Sequence, residues 1–124
     1  VNLHFGLCPH YRGALANQHA VLRDDISKIG ATILYINGKP DTGEILSTIS
    51  ACHTLPPKEL FQDLNERAST RYLEVVKRLH AGEEWTTTSQ EMKSGANLLL
   101  KHWTPRMRYN LGKKIVEWER RHDA

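Results

Sequence analysis

Apolar residues recur at helical spacing along most of this chain, and the pattern is clearest in residues 57–82. Apolar positions there repeat every three or four residues, which places them on one face of an amphipathic helix. Pro57 suits the first turn of this helix, and Gly82 suits the position just after its end. The apolar face consists of Leu60, Leu64, Ala68, Tyr72, Val75, Val76 and Leu79.

A similar apolar seam runs from Leu15 to Ile36 and predicts a long first helix, which Asn37 and Gly38 end. The alternative makes residues 31–36 a strand, because Ile, Thr and Tyr favour strands and Asn-Gly is a typical hairpin turn. We favour the helix because the seam keeps its phase across Gly30 and no second alternating segment offers a partner strand.

Capping signals predict three more helices. Asp41 and Thr88 are each followed three residues later by a glutamate, the spacing of a capping box, and Thr104 precedes a proline that suits the first helical position. The predicted second, fourth and fifth helices carry, in turn, Ile45, Leu46, Ile49 and Cys52; Met92, Ala96, Leu99, Leu100 and Trp103; and Met107, Leu111, Ile115 and Trp118. The sequence thus predicts an all-α fold, a compact bundle of about five amphipathic helices in one domain over residues 1–124.

Positive charge is concentrated at the end of the chain. Residues 101–124 hold seven basic and three acidic residues, a balance of +4, whereas residues 1–100 hold ten basic and eleven acidic, a balance of −1. A localised basic element attracts anionic partners more strongly than evenly spread charge. A solvated helix face that carries such residues is the more common case, but a nucleic-acid partner is the function that we predict from the asymmetry.

We therefore predict a non-enzymatic domain that binds nucleic acid, DNA or RNA, through its fifth helix. Basic groups would contact phosphates and an aromatic ring would stack on a base. The predicted contact residues are Arg106, Arg108, Tyr109, Lys113, Lys114, Arg120 and Arg121.

A protein-protein interaction or oligomerisation module is the alternative. Trp85, Trp103, Tyr109 and Trp118 all fall in the last forty residues, and aromatic and arginine side chains together are typical of interface hot spots. A homodimer through the heptad-like first helix is the simplest form of this alternative.

A small metal-binding domain is the third interpretation. His4 lies close to Cys8 and His10, and Cys52 adjoins His53, so that two thiolates and two imidazoles could surround zinc. The spacings match no standard zinc pattern, so we predict no metal site and keep Cys8, His10, Cys52 and His53 as the candidates.

No catalytic motif or cofactor site is predicted. The segment from Gly38 to Gly43 has glycines, a lysine and a threonine, but lacks the order of a phosphate-binding loop and is explained as a turn between helices. No stretch reaches the ~18 apolar residues of a membrane span, and no signal peptide is evident. We therefore expect a cytoplasmic protein, or a nuclear one in a eukaryote. The start at Val1 rather than Met is consistent with a domain of a longer chain.

Overall fold

The computed structural model describes residues 1–91 and 95–123 and shows a mixed α/β fold, so the predicted all-α bundle is wrong. Two short 3₁₀ turns, Ile26–Lys28 and Leu100–His102, complete the elements. In chain order the strands and helices are β1 (Asn2–His4), β2 (Tyr11–Gly13), α1 (Ala16–Leu22), β3 (Gly30–Leu34), β4 (Ile45–Ser50), α2 (Pro57–His80), β5 (Ala96–Leu98) and α3 (Pro105–Asp123).

The central sheet has β3 in the middle, antiparallel to both β1 and β4. Every residue of β3 is buried, as expected for a strand covered on both faces. The long helix α2 packs against β3 and β4, while α3 packs against α1 and α2. A second, two-stranded sheet pairs β2 with β5 in parallel. The strand pairing sets Asn2 opposite Leu34 and His4 opposite Thr32.

The predicted long first helix is correct only for its first part. The helix ends at Leu22, and the strand interpretation that we rejected for residues 31–36 applies to Gly30–Leu34. The side chain of Asn17 accepts a hydrogen bond from the Gly30 N–H at 3.1 Å and donates to the Gly30 carbonyl at 2.9 Å, which anchors the start of β3. A Cβ at Gly30 would lie 2.4 Å from the Ile49 carbonyl oxygen, so glycine permits the close approach of β4.

The predicted second and fourth helices are also wrong. The second is replaced by β4, and the carboxylate of Asp41 bonds the distant Gly13 N–H instead of capping a helix. In the segment predicted as the fourth helix, Thr88 forms an antiparallel β-bridge with Ile45, and Ala96–Leu98 is a strand. The part of that prediction resting on Met92 lies outside the described residues.

The third and fifth predicted helices are confirmed as α2 and α3. Helix α2 begins at Pro57 and ends just before Gly82, which has a φ of 82°. At the start of α3, the Thr104 hydroxyl accepts the Met107 N–H at 3.1 Å, as a cap does. Within the described ranges, no helix is both long enough and apolar enough to cross a membrane.

The His122 side chain links the end of α3 to Thr54, which precedes α2. Its Nδ1 lies 3.1 Å from the Trp118 carbonyl oxygen, and its Nε2 lies 3.0 Å from the Thr54 carbonyl oxygen. Because carbonyls only accept hydrogen bonds, both contacts are made only when both ring nitrogens are protonated. The bond to Trp118, and then the bond to Thr54, raise the pKa of His122.

This geometry predicts a pH-dependent contribution to stability. A pKa raised in the folded state means that the contribution is complete below the unfolded pKa of about 6.5 and is lost as the pH rises through the folded value. We expect urea unfolding at a series of pH values to show a decline above about pH 6.5 that His122→Gln removes. His80→Gln, at the exposed end of α2, is the control and should leave the decline in place. Equal pH dependence in the wild type and His122→Gln would contradict the prediction.

Candidate active site

A buried histidine–carboxylate contact joins β1 to the connection between β3 and β4. His4 Nδ1 lies 3.4 Å from Asp41 Oδ2, with the two side chains only 8% and 11% exposed. His4 Nε2 lies 3.0 Å from the Tyr11 carbonyl oxygen and must donate to it. A proton on Nδ1 therefore points at Asp41 whenever the ring is an imidazolium. Such a pair has the groups needed to exchange a proton with a bound molecule.

Asp41 is held in place by several groups. Its φ of 57° lies in the left-handed region, which aspartate tolerates better than most residues. Its Oδ2 accepts the Gly13 N–H at 2.9 Å, and its carbonyl oxygen accepts Gln90 Nε2 at 2.9 Å. Cys8 Sγ approaches the same carbonyl at 3.6 Å. Strained residues fixed by their surroundings cluster at functional sites, which supports a role for Asp41.

Gly6 provides the space that the His4 ring occupies. A Cβ at position 6 would lie 2.5 Å from His4 Nε2 and 2.5 Å from the Ala16 Cβ. Since Ala16 belongs to the packed core, any side chain at position 6 would displace the imidazole. The glycine thus keeps the ring within reach of Asp41.

Asn2 and Asp41 line a pocket of about 390 Å³, a volume suited to a small molecule. Successive side chains of a strand alternate between its faces, so Asn2 lies on the same side of β1 as His4. The remaining wall is formed by the end of β3 and the loop after it, residues 34–40. No hydrogen bond to the Asn2 side-chain amide is present among residues 1–91 and 95–123. This amide is therefore available to a bound molecule.

The three side chains form a combination with a defined chemistry. An amide N–H stabilises negative charge that develops on a carbonyl oxygen, and the His4–Asp41 pair accepts a proton from an attacking nucleophile. Acyl transfer requires both functions within one pocket. The arrangement of Asn2, His4 and Asp41 therefore fits transfer of a carbonyl-containing group.

The predicted nucleic-acid contacts lie elsewhere, on α3, and none of them lines this pocket. Lys114 is half-buried, with its Nζ 2.6 Å from Asp24 Oδ1. Lys113 places its Nζ 5.7 Å from the centre of the Tyr109 ring. Whether this surface contacts a nucleic acid stays a prediction. The exposed members of the set are Arg106, Arg108, Tyr109, Lys113, Arg120 and Arg121.

The candidate metal ligands Cys8, His10, Cys52 and His53 are not brought together as a site. In the described part of the chain, no three or more His, Cys, Asp or Glu residues are grouped so that they could hold a metal ion. Cys8 is buried, and burial raises the pKa of its thiol to about 11, which disfavours the thiolate that a metal requires. Cys52 is exposed, with its Sγ 3.4 Å from the Thr54 hydroxyl.

Sequence reasoning missed this site because it assigned its members to other tasks. The spacing around Asp41 is that of a helix cap, His4 belongs to the candidate metal set, and no motif marks Asn2. The available signal was the strand alternative for residues 31–36. A strand there pairs naturally with the first residues of the chain, and the loop after it then carries Asp41 towards His4.

The sequence profile of the family described as formyl transferase matches residues 1–77. A methionyl-tRNA formyltransferase from Thermobifida fusca is 39% identical over 79 residues, which is 63% of this chain and 24% of that protein. The methionyl-tRNA formyltransferase of Syntrophomonas wolfei is 33% identical over 93 residues, covering 73% of this chain and 29% of its own length. The chain thus spans about a quarter of the length of these curated relatives.

Solved structures show the same fold. The formyltransferase PseJ from Anoxybacillus kamchatkensis, in complex with tetrahydrofolate and a formamido sugar nucleotide, superposes with a TM-score of 0.68 at 27% identity. The match covers 81% of this chain and 52% of PseJ. A likely sugar N-formyltransferase from Mycobacterium tuberculosis shares the fold, with a TM-score of 0.67 at 21% identity over 91% of this chain and 53% of that one.

These similarities overturn two expectations from the sequence. The interpretation as a nucleic-acid-binding helical bundle is wrong, because the fold and the relatives are those of formyl-transferring proteins. The expectation that the domain is not enzymatic is wrong for the same reason, since the matching relatives are named as enzymes.

Proposed function

Since this chain belongs to the formyl transferase family, we propose that it moves a formyl group onto an amine at the pocket lined by Asn2 and Asp41, where Asp41 contacts the buried His4. The observation that carries the proposal is the buried contact of 3.4 Å between His4 and Asp41, at a pocket that the available amide of Asn2 also lines. The relatives' names supply the group transferred, and the geometry supplies the residues that act on it.

The His4–Asp41 pair handles the proton of the acceptor. When an amine nitrogen bonds to the formyl carbon, it gains positive charge and must lose a proton to become an amide. The pair receives this proton at the contact between Nδ1 and Oδ2, which the carboxylate stabilises through its charge. As the bond from the formyl carbon to the donor breaks, the proton returns to the leaving nitrogen.

Asn2 acts on the formyl oxygen. This oxygen gains negative charge as the amine attacks, and an amide N–H aimed at it lowers the barrier. Asn2 and Asp41 line the same pocket, so one bound formyl group can lie within reach of both. His4 stays behind them, because it is only 8% exposed.

The pocket fits a flat carrier such as the tetrahydrofolate bound in PseJ. The pocket has a volume of about 390 Å³. Its wall includes Leu34, Tyr35, Ile36 and Pro40, whose apolar groups suit a planar ring. When bound, a formylated tetrahydrofolate supplies the formyl group. The protein's own part is to hold the ring, orient the formyl group towards Asn2 and exclude water from the pair.

The relatives support methionyl-tRNA as the acceptor, because two proteins named methionyl-tRNA formyltransferase match most of this chain at 33–39% identity. An amino sugar linked to a nucleotide is the second acceptor class, supported by the formamido sugar nucleotide of PseJ. We also propose a cytoplasmic location, which the sequence led us to expect and which suits a tRNA substrate.

The test is a formyl-transfer assay on the purified protein. Formyl-tetrahydrofolate is the donor, methionyl-tRNA and an aminosugar nucleotide are offered separately, and mass spectrometry detects the addition of one formyl group. We expect product with the wild type. With His4→Asn, which cannot exchange the proton, we expect the rate to fall by at least about 100-fold. His80→Asn, an exposed histidine at the end of α2, is the matched control and should react like the wild type. No product with either acceptor, or equal rates for His4→Asn and the wild type, would contradict the proposal.

A further inference from the structure

We propose that Gln90 is a positioning residue that holds Asp41 in its reactive orientation, an inference that rests on the proposed function of the Asn2, His4 and Asp41 site. Gln90 lies far from Asp41 in the sequence, in the segment before β5. Its amide group nevertheless reaches the turn that carries Asp41. There it bonds to the backbone on both sides of Thr42.

The amide of Gln90 joins the two ends of this turn. Its Nε2 donates to the Asp41 carbonyl oxygen at 2.9 Å and to the Gly43 carbonyl oxygen at 2.7 Å. Carbonyls only accept hydrogen bonds, so the nitrogen must face the turn and the amide has a single consistent orientation. Both hydrogens of the NH₂ group are used, and the two carbonyls are fixed relative to each other.

The other end of the amide is locked by Arg12. The Arg12 Nε donates to Gln90 Oε1 at 3.0 Å, and one terminal nitrogen of Arg12 donates to the Glu91 carbonyl oxygen at 2.9 Å. Arg12 is only 1% exposed and belongs to β2, so its guanidinium forms part of the packed interior. Gln90 therefore links the turn to β2 and restricts the movement of the turn relative to that strand.

The turn needs this support because Asp41 adopts a strained backbone. With a φ of 57°, Asp41 places its carboxylate against the Gly13 N–H and His4 Nδ1 at the same time. A small rotation of the peptide after Asp41 would separate the carboxylate from His4, and misplacement of a catalytic group by about 1 Å costs about 100-fold in rate. The bonds from Gln90 to the Asp41 and Gly43 carbonyls oppose this rotation.

The decisive variant is Gln90→Glu. A glutamate keeps the size of the side chain and an oxygen for Arg12, but it replaces the NH₂ donor with an acceptor that repels the two carbonyls. We expect the kcat of formyl transfer to fall about 10- to 100-fold with a KM close to the wild-type value, because Gln90 does not line the pocket. Thr42→Val is the matched control in the same turn. It removes the hydroxyl that bonds Asn37 Oδ1 and the Lys39 carbonyl in the pocket wall, so any effect should fall on KM. Its kcat should equal that of the wild type, because the bonds from Gln90 to the Asp41 and Gly43 carbonyls remain.

A double substitution separates positioning from general damage. If Gln90 acts through Asp41, then Gln90→Glu should add no further loss to Asp41→Asn, since the group it positions is already disabled. Losses that multiply in the double variant would overturn the proposal. So would a kcat of Gln90→Glu equal to that of Thr42→Val.

A spectroscopic readout tests the inference even if no formyl transfer is found. The Gly13 amide proton bonds to Asp41 Oδ2, so its NMR signal reports the position of that carboxylate. We expect the signal to move upfield in Gln90→Glu and to stay in place in Thr42→Val. An unmoved Gly13 signal in Gln90→Glu would overturn the positioning role, whereas absent product with the wild type would contradict only the proposed function.

Discussion

Replacing Asp41 by Asn is expected to lower the kcat of formyl transfer by about 10²–10⁴-fold while the protein stays folded. Asparagine has nearly the same shape as aspartate and also tolerates the left-handed region, so the φ of 57° does not oppose the change. Its side-chain oxygen can still accept the Gly13 N–H. What it lacks is the negative charge that stabilises a proton on His4 Nδ1, and the acceptor amine then has no base.

The measurement is the steady-state rate with saturating donor and acceptor, alongside a thermal melt. Asp63→Asn is the control, because Asp63 is a half-buried carboxylate that forms a surface ion pair with Arg67 on the same helix. Such pairs contribute little, so this variant should keep the wild-type rate. If Asp41→Asn were as active as Asp63→Asn, the carboxylate at position 41 would have no part in the chemistry.

Replacing Leu64 by Ala is expected to lower the free energy of unfolding by about 2–5 kcal/mol. Leu64 is 1% exposed and lies on the face of α2 that packs against the central sheet. Removing its side-chain carbons leaves a cavity that the packed surroundings cannot close completely, and the lost contacts and the cavity both reduce stability.

Leu73→Ala on the same helix is the matched comparison. Leu73 is 57% exposed, so its loss should change the free energy of unfolding by less than about 0.5 kcal/mol. Urea unfolding followed by circular dichroism measures both values. A similar loss for the two variants would mean that α2 packs through a different face from the one described here.

The long amphipathic helices were predictable because their structure is encoded locally. Helix α2 has an uninterrupted apolar face and clear end signals, and α3 has a proline start with a threonine cap. For these elements, periodicity and capping agree with the tertiary packing.

The strands were not predictable in the same way, since their partners are distant in the sequence. The seam of Leu15 to Ile36 keeps a helical phase, yet residues 30–34 are buried between β1 and β4 as a strand. Tertiary pairing overrides the local pattern there. The capping-box spacing of Asp41 was misleading for the same reason, because the carboxylate serves Gly13 and His4 across the fold.

The candidate site depends on these pairings and was missed with them. His4 and Asp41 approach each other only because β1 pairs with β3 and the following loop turns back. The basic residues of α3, in contrast, formed the most conspicuous pattern in the sequence, but they lie outside the pocket. The local density of charge indicated a charged surface. The candidate site instead joins Asn2 and His4 to Asp41, which lies far along the chain and outside any recognised catalytic motif.

The most direct test of formyl transfer at this pocket follows the formyl carbon itself. An isotopically labelled formyl group on tetrahydrofolate is mixed with methionyl-tRNA and the protein, and NMR records which molecule carries the label over time. If the His4–Asp41 pair transfers the formyl group, the label passes to the methionine nitrogen with the wild type and remains on the donor with Asp41→Asn. A label that stays on the donor with the wild type, or that moves equally fast with both proteins, would contradict formyl transfer at the His4–Asp41 pair.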